Sequence, residues 1–339
     1  MLLATAWGPR HGGINAFNVA LARSLGITPG RSFGLVCVVP EASADDHEDA
    51  TRHGVALVAL GSAPGVLSPG DAAQMLSRLP GLLTDRAIWL GHDDKTGPLA
   101  LALRQQCPGS RLVLVNHMAF AAYHDFKKAG STEPTQPKRV QQRALFLQAN
   151  LCVAVGPMLQ QQLQDLLRPT ITTQVEMLVP GLADPDPDTV NLSHQPPHNF
   201  TAFIGGRLGS DDERIKQALL GVRGYGMAVK VAFDSADSQH AMCRSPSLRM
   251  RGVPADQHHR LRAEASGAAQ QVLNCDLADY TEDRACYLRD LASSSVALTP
   301  SRHEGFGLTA WKAIACQVPR PGPGSPAWAS GLRRCCWRW

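Results

Sequence analysis

No apolar run in this 339-residue chain reaches the ~18 residues that a membrane-crossing helix needs. The first residues lack a charged segment followed by a long apolar core and a cleavage site, so no secretory signal is expected. The nine cysteines show no paired spacing of the zinc type, so no metal is expected. Cys37, Cys107, Cys152, Cys275 and Cys316 fall in or near apolar stretches and read as buried thiols, which makes a reducing cytoplasm the simplest compartment. The Gly-x-Gly-x-x-Gly of a dinucleotide fold is missing, which argues against a dinucleotide-dependent enzyme, and no cofactor is expected. A net charge of +4 is mild for this length, so no nucleic acid partner is expected. What remains, 44% hydrophobic and 18% charged residues, suits a globular α/β chain long enough for two domains.

Strand-like and helix-like segments alternate from the start. Residues 1–7 read as a strand, followed by the turn Gly8-Pro9-Arg10-His11-Gly12-Gly13 and a helix from about Ala16 to Leu25. Strands are expected at 34–39, 55–60, 87–92, 111–115, 151–155 and 175–179, with helices at 71–79, 98–105, 138–148 and 157–167. Pro98 is expected in a first helical turn, where its missing N–H costs nothing. Asp184 to His198 has linker composition, rich in Pro, Asp and Asn. Beyond it, strands are expected at 200–204, 228–233, 248–253 and 271–274, with helices over 256–265 and from Thr281, a capping residue, to about Ala292. This rhythm predicts parallel sheets covered by helices, whose ligands bind beyond the carboxyl ends of the strands. Gly12, His92, Asp93 and His117 all fall at such ends.

The stretch from Ser301 to Ala315 is the densest in chemistry. An apolar run, Ser295 to Pro300, reads as a buried strand. Glu304-Gly305-Phe306-Gly307-Leu308 turns from it into a helix. The two glycines admit a close ligand, and the free N–H groups of the helix start suit a phosphate. This motif resembles the donor site of the retaining, GT-B-fold glycosyltransferases of group one, family four. That family has Glu, then Gly/Ser-Phe-Gly-Leu, then a second Glu eight positions after the first; here that position is Lys312. The Gly12-Gly13 turn, the phrase Val115-Asn116-His117-Met118 and the segment Ile204-Gly205-Gly206-Arg207 resemble further parts of the same family.

The resemblance implies an α/β fold of two Rossmann-like domains facing a cleft, with the second domain incomplete. It implies transfer of a sugar from a nucleotide-diphosphate sugar to an acceptor with retention, without a metal, in carbohydrate biosynthesis. Glu304 would orient the donor sugar and His117 would serve the acceptor side; these are the expected catalytic residues. Arg207 would grip the diphosphate. The family's lysine five residues later is replaced by Asp212, which leaves Lys216 as the nearest cation. The amides of Gly305, Phe306, Gly307 and Leu308 complete the donor site, with Lys312 where the family's second Glu bonds the ribose. Gly12 and Gly13 would form a phosphate or acceptor loop. The expected division is an acceptor-side domain at 1–183, a linker at 184–198, a donor domain at 199–319 and an aberrant tail at 320–339.

That tail contains no acid but carries Arg320, Arg333, Arg334, Arg338, Trp328, Trp337, Trp339, Cys335 and Cys336. It reads like translation in a shifted frame; the alternative is a genuine basic tail in peripheral contact with a membrane. The expected enzyme is therefore impaired as written, and the alternative function is a non-catalytic remnant that binds nucleotide sugar or is inert.

Overall fold

The computed structural model describes residues 1–8, 12–79, 86–119, 136–168, 174–181, 200–209, 213–234, 245–281, 283–302, 305–316 and 318. They form two compact units, one up to Gly181 and one after it. The expected linker, 184–198, and the tail, 320–339, lie outside the described residues.

In the first unit the strands are β1 (Leu2–Leu3), β2 (Val36–Val39), β3 (Ala56–Ala59), β4 (Ile88–His92), β5 (Arg111–Asn116), β6 (Leu151–Val155) and β7 (Gln174–Leu178). All pairings are parallel, in the order β3-β2-β1-β4-β5-β6-β7. The intervening helices are α1 (Gly13–Gly26), α2 (Ala44–Arg52), α3 (Ala72–Arg78), α4 (Asp93–Gln106), α5 (Gln136–Phe146) and α6 (Pro157–Leu167). Val36 to Val39 are all buried, as a central parallel strand requires. The chain builds β1, β2 and β3 in one direction, then returns to add β4 on the other side of β1. That reversal opens a crevice at the carboxyl ends of β1 and β4, the point where open α/β sheets take ligands.

The second unit repeats the plan with β8 (Thr201–Gly205), β9 (Ser247–Arg251), β10 (Asn274–Ala278) and β11 (Val296–Ala297), parallel in the order β10-β9-β8-β11. Its reversal falls between β8 and β11. Its helices are α7 (Glu213–Lys216), α8 (Ala218–Asp234), α9 (His258–Ala269), α10 (Arg284–Ala292) and α11 (Leu308–Ala315). One sheet face packs Ala202, Ile204, Leu248 and Met250 in a core with Val222, Val229 and Leu261 of α8 and α9. The other face is divided. Phe203 packs with Leu288 and Leu291 of α10 and Ala313 of α11. Beside this apolar half, Arg249 and Arg251 of β9 form ion pairs with Asp276 of β10 and Asp290 of α10, at 2.5–3.5 Å.

Several expectations are corrected. Residues 228–233 are helical, within α8, not a strand. The β-branched run there suggested a strand, but burial recurs at Ala218, Val222, Tyr225, Val229 and Ala232, the spacing of one helix face. A Cβ on Gly226 would strike the Ala265 carbonyl of α9, so this glycine is what lets two helices pack closely. The expected strand at 271–274 begins instead at Asn274, where pairing with β9 starts. Helix α4 starts at Asp93, so Pro98 sits inside it. The Thr96 hydroxyl accepts the His92 N–H at 2.8 Å and donates to the Leu3 carbonyl at 2.9 Å, which fixes this earlier start against β1. Asp93 itself has φ 41. Asp283, not Thr281, caps α10, its carboxylate accepting the Cys286 N–H at 3.0 Å. The first strand is only Leu2–Leu3, and Cys107 and Cys275 are half-buried rather than buried. No described helix is long and apolar enough to cross a membrane.

Candidate functional site

Each unit gathers chemistry at the reversal of its sheet. In the first unit, Gly12 adopts φ 112 and caps α1, and Gly13 is the first helical residue. Two turns of α1 carry Asn15 and Asn18, both buried, on a face otherwise filled by Phe17, Val19 and Ala22. Buried amides need partners. Asn15 pairs with Thr5 just after β1. Asn18 faces the end of β4, where its Oδ1 lies 2.8 Å from His92 Nε2. His92 Nδ1 lies 2.9 Å from His117 Nε2, and His117 follows β5. The Phe17 ring meets the His117 ring edge-on, with centroids 4.7 Å apart. Asp93 ties the strand ends together: its carboxylate accepts the His117 N–H at 2.7 Å and the Asn116 amide at 3.2 Å.

These groups sit in an apolar setting. Burial holds the His92 imidazole down to about 3. Burial, and then the neighbouring His92, hold His117 well below its ordinary value. Both rings are therefore neutral at neutral pH. Burial pushes the Asp93 carboxyl well above the usual carboxylate range, against the hydrogen bonds from His117, Asn116 and Gln142.

In the second unit, β8 ends at Gly205 and the chain turns through Gly206, at φ 146, to Arg207, which is exposed. The turn is locked from β9. The Gly206 N–H donates to the Arg251 carbonyl at 3.1 Å, and the Leu208 N–H donates to the Gly252 carbonyl at 2.8 Å. Gly307 takes the left-handed conformation, φ 80, and caps α11 with no side-chain hydrogen bond. The Thr309 hydroxyl, in the first turn of α11, donates to the Gly205 carbonyl at 3.4 Å. The start of this helix and Arg207 therefore share one sheet end. Gly305, Phe306, Gly307 and Leu308 are half-buried there, and the Phe306 ring meets Trp311 edge-on at 5.2 Å. Lys216 ends α7 and is half-buried; its neighbour Ile215 accepts the Arg302 N–H at 2.7 Å, which draws α7 to the segment before the motif. Lys312 points its ammonium at the Tyr287 ring, 4.8 Å from the centroid, and the Tyr287 hydroxyl crowds Gly205. Glu304 and Asp212 lie outside the described residues.

Asn18, Phe17, Tyr287 and Thr309 join these clusters without having been singled out in the sequence. Two asparagines on an otherwise apolar helix face were the available signal for the first; Tyr287 had none.

The family model described as family 4 glycosyltransferase in conflict systems matches residues 1–320. No curated protein matches the sequence. Among solved structures, sucrose-phosphate synthase from Thermosynechococcus elongatus is 14% identical with a TM-score of 0.61, over 94% of this chain and 79% of that one. The E. coli trehalose-6-phosphate structure bound with UDP-2-fluoro glucose is 13% identical with a TM-score of 0.59, over 93% and 81%. Anabaena HepE in complex with UDP and glucose is 13% identical with a TM-score of 0.58, over 93% and 77%. At such identities the structures speak for the fold, an α/β fold shared with GT-B glycosyltransferases. The match along nearly the whole sequence speaks for the family: the chain belongs to the family 4 glycosyltransferases of conflict systems.

Proposed function

We propose that this glycosyltransferase moves a sugar from a nucleotide-diphosphate sugar to an acceptor with retention, with the donor held by the second unit and the acceptor side served by the first. The observation that carries the reading is the junction of α11 with the end of β8, where the Thr309 hydroxyl meets the Gly205 carbonyl beside Arg207. Charge builds on the departing diphosphate as the glycosidic bond breaks, and positioned donors stabilise it most effectively. The guanidinium of Arg207 offers a fork for phosphate oxygens. The free amides at the start of α11 and the ammonium of Lys216 add to it. Glu304 orients the donor sugar, and His117 with the Gly12-Gly13 turn serves the acceptor. Residues 1–183 then make the acceptor-side domain and 199–319 the donor domain, working in the cytoplasm.

The complexes of HepE with UDP and glucose and of the E. coli structure with UDP-2-fluoro glucose make uridine diphosphate sugars the first donors to test. Calorimetry with UDP-glucose, with turnover measured alongside, is the direct experiment. Binding that weakens in Arg207→Ala supports the donor site; unchanged affinity removes Arg207 from it.

A second reading, binding without useful turnover, is favoured by Lys312. Its ammonium on the Tyr287 face stands where the family has a carboxylate, and it has no lone pair for a ribose hydroxyl. UDP-glucose binding with no released UDP over hours would select this reading.

A further inference from the structure

Resting on the acceptor-side reading of His117, we propose that Asn18 and His92 form a relay that holds His117 in one tautomer, with Nε2 protonated and Nδ1 presented as the hydrogen-bond acceptor for a substrate hydroxyl. Three buried groups in line set the direction. The Asn18 amide nitrogen lies 3.5 Å from the Cys37 sulfur, and its oxygen lies 2.8 Å from His92 Nε2. Asn18, Cys37 and His92 are all fully buried, so water does not substitute for a missing partner. An amide oxygen accepts an imidazole N–H well, while a thiol is a weak donor to that oxygen. The amide therefore donates to sulfur and accepts from His92 Nε2–H. One proton on the His92 ring leaves Nδ1 with its lone pair, and that lone pair accepts from His117 Nε2–H across 2.9 Å.

The same logic fixes the outer ring. His117 keeps its proton on Nε2, and its Nδ1 makes no hydrogen bond to any described residue. Asp93 bonds the His117 main chain, not its ring, so it holds the loop without choosing the tautomer. The edge-on Phe17 ring limits rotation of the imidazole. Asn18 and His92 are thus positioning residues that act through His117. They convert a ring with two interchangeable nitrogens into a directed acceptor, suited to steering an acceptor hydroxyl or taking its proton.

The test is nitrogen-15 spectroscopy of the histidine rings in the full chain, with the His117 signals assigned by their loss in His117→Gln. The parent should show His117 as the Nε2–H tautomer. His92→Gln should retain it, because the glutamine oxygen accepts from His117 and its amide donates to Asn18. His92→Phe should leave a mixture of tautomers and lower UDP-glucose turnover about 10²-fold in kcat, with KM unchanged, the low end of what a positioned acid–base group contributes. A parent His117 in the Nδ1–H form, or a tautomer unmoved by His92→Phe, overturns the relay. Normal turnover in His117→Gln with the tautomer as expected overturns the acceptor-side reading, and with it the relay's purpose, while leaving its geometry standing.

Discussion

The two sheet ends are built from opposite materials. In the first unit the strand ends are joined by side chains: His92, His117, Asn18, Asp93 and Asn116 bond one another, mostly buried. In the second unit the ends of β8, β9 and β10 are joined by main chain, through Gly206, Leu208 and Gly252, and the charged side chain at that end, Arg207, is exposed. A site of interlocked side chains has most of its donors and acceptors already committed, so it is rigid and selective. A site of glycine backbone with an exposed arginine keeps its donors for a ligand, as a diphosphate needs. The contrast teaches that the same topological reversal can serve to orient or to bind, depending on which groups close it.

The largest expected effect comes from filling the backbone junction. Gly252 has φ 91, and a Cβ there would overlap the Gly206 carbonyl oxygen. Gly252→Ala should cost about 4 kcal/mol from strain and overpacking together. Hydrogen exchange should show β8 and β9 losing protection while β4 and β5 keep theirs. Equal loss in both units would break the comparison.

Acid should strike the other end first. His92 is held at about 3, below its ordinary value near 6.5, so its contribution is present above 6.5 and is lost as pH falls from there toward 3. His117, also lowered, works in the same direction. Asp93 is raised, so its contribution is fully present below ~3.9 and lost as pH rises, which offsets part of the effect. The first unit should lose roughly 1–3 kcal/mol between pH 7.5 and 5. Asp276 in the second unit is lowered by its hydrogen bond to Arg251, so its contribution fails only as pH drops below ~4. Exchange of β4 and β5 amides should therefore rise with acid before that of β8 and β9, and His92→Gln should flatten the early rise.

Arg207→Ala should weaken UDP-glucose binding by about 1.5–3 kcal/mol, or roughly tenfold to a hundredfold in Kd. Asp93→Asn, at the other end, should leave Kd within about twofold if donor binding belongs to the second unit alone. Calorimetry reads both. A smaller change than that of Arg207→Ala is expected for Lys312→Glu, which replaces a cation on the Tyr287 face with an acceptor. Donor affinity should improve by about 1 kcal/mol, close to fivefold in Kd; a loss of affinity would show that the ammonium assists binding.

The strands of the first unit were legible, because buried parallel strands are short and largely apolar, whereas α2 and α8 were not read as helices. The errors have local causes. Ala228 to Phe233 has strand composition, and only its packing on α9 shows why it is helical. Pro98 drew the start of α4 too late, since the bond from the Thr96 hydroxyl to the Leu3 carbonyl is a tertiary effect. At the sites, His117 and Arg207 were read from motifs. Asn18, which bonds His92, and Tyr287, which meets Lys312, come from helices whose rotation about their axes is set only once the sheet is assembled.

The ion pairs on β9 bear on how the second sheet opens. Among the described residues β10 pairs only with β9, and such a margin ordinarily frays first. Here Arg249 and Arg251 clasp it from the side through Asp276, itself about half exposed, while Asp290, at 18%, anchors the same arginines to α10. Mobile ions screen the outer contact and barely reach the inner one. The margin therefore behaves as a latch graded by ionic strength: added salt should speed amide exchange along Asn274–Ala278 while leaving α10 docked.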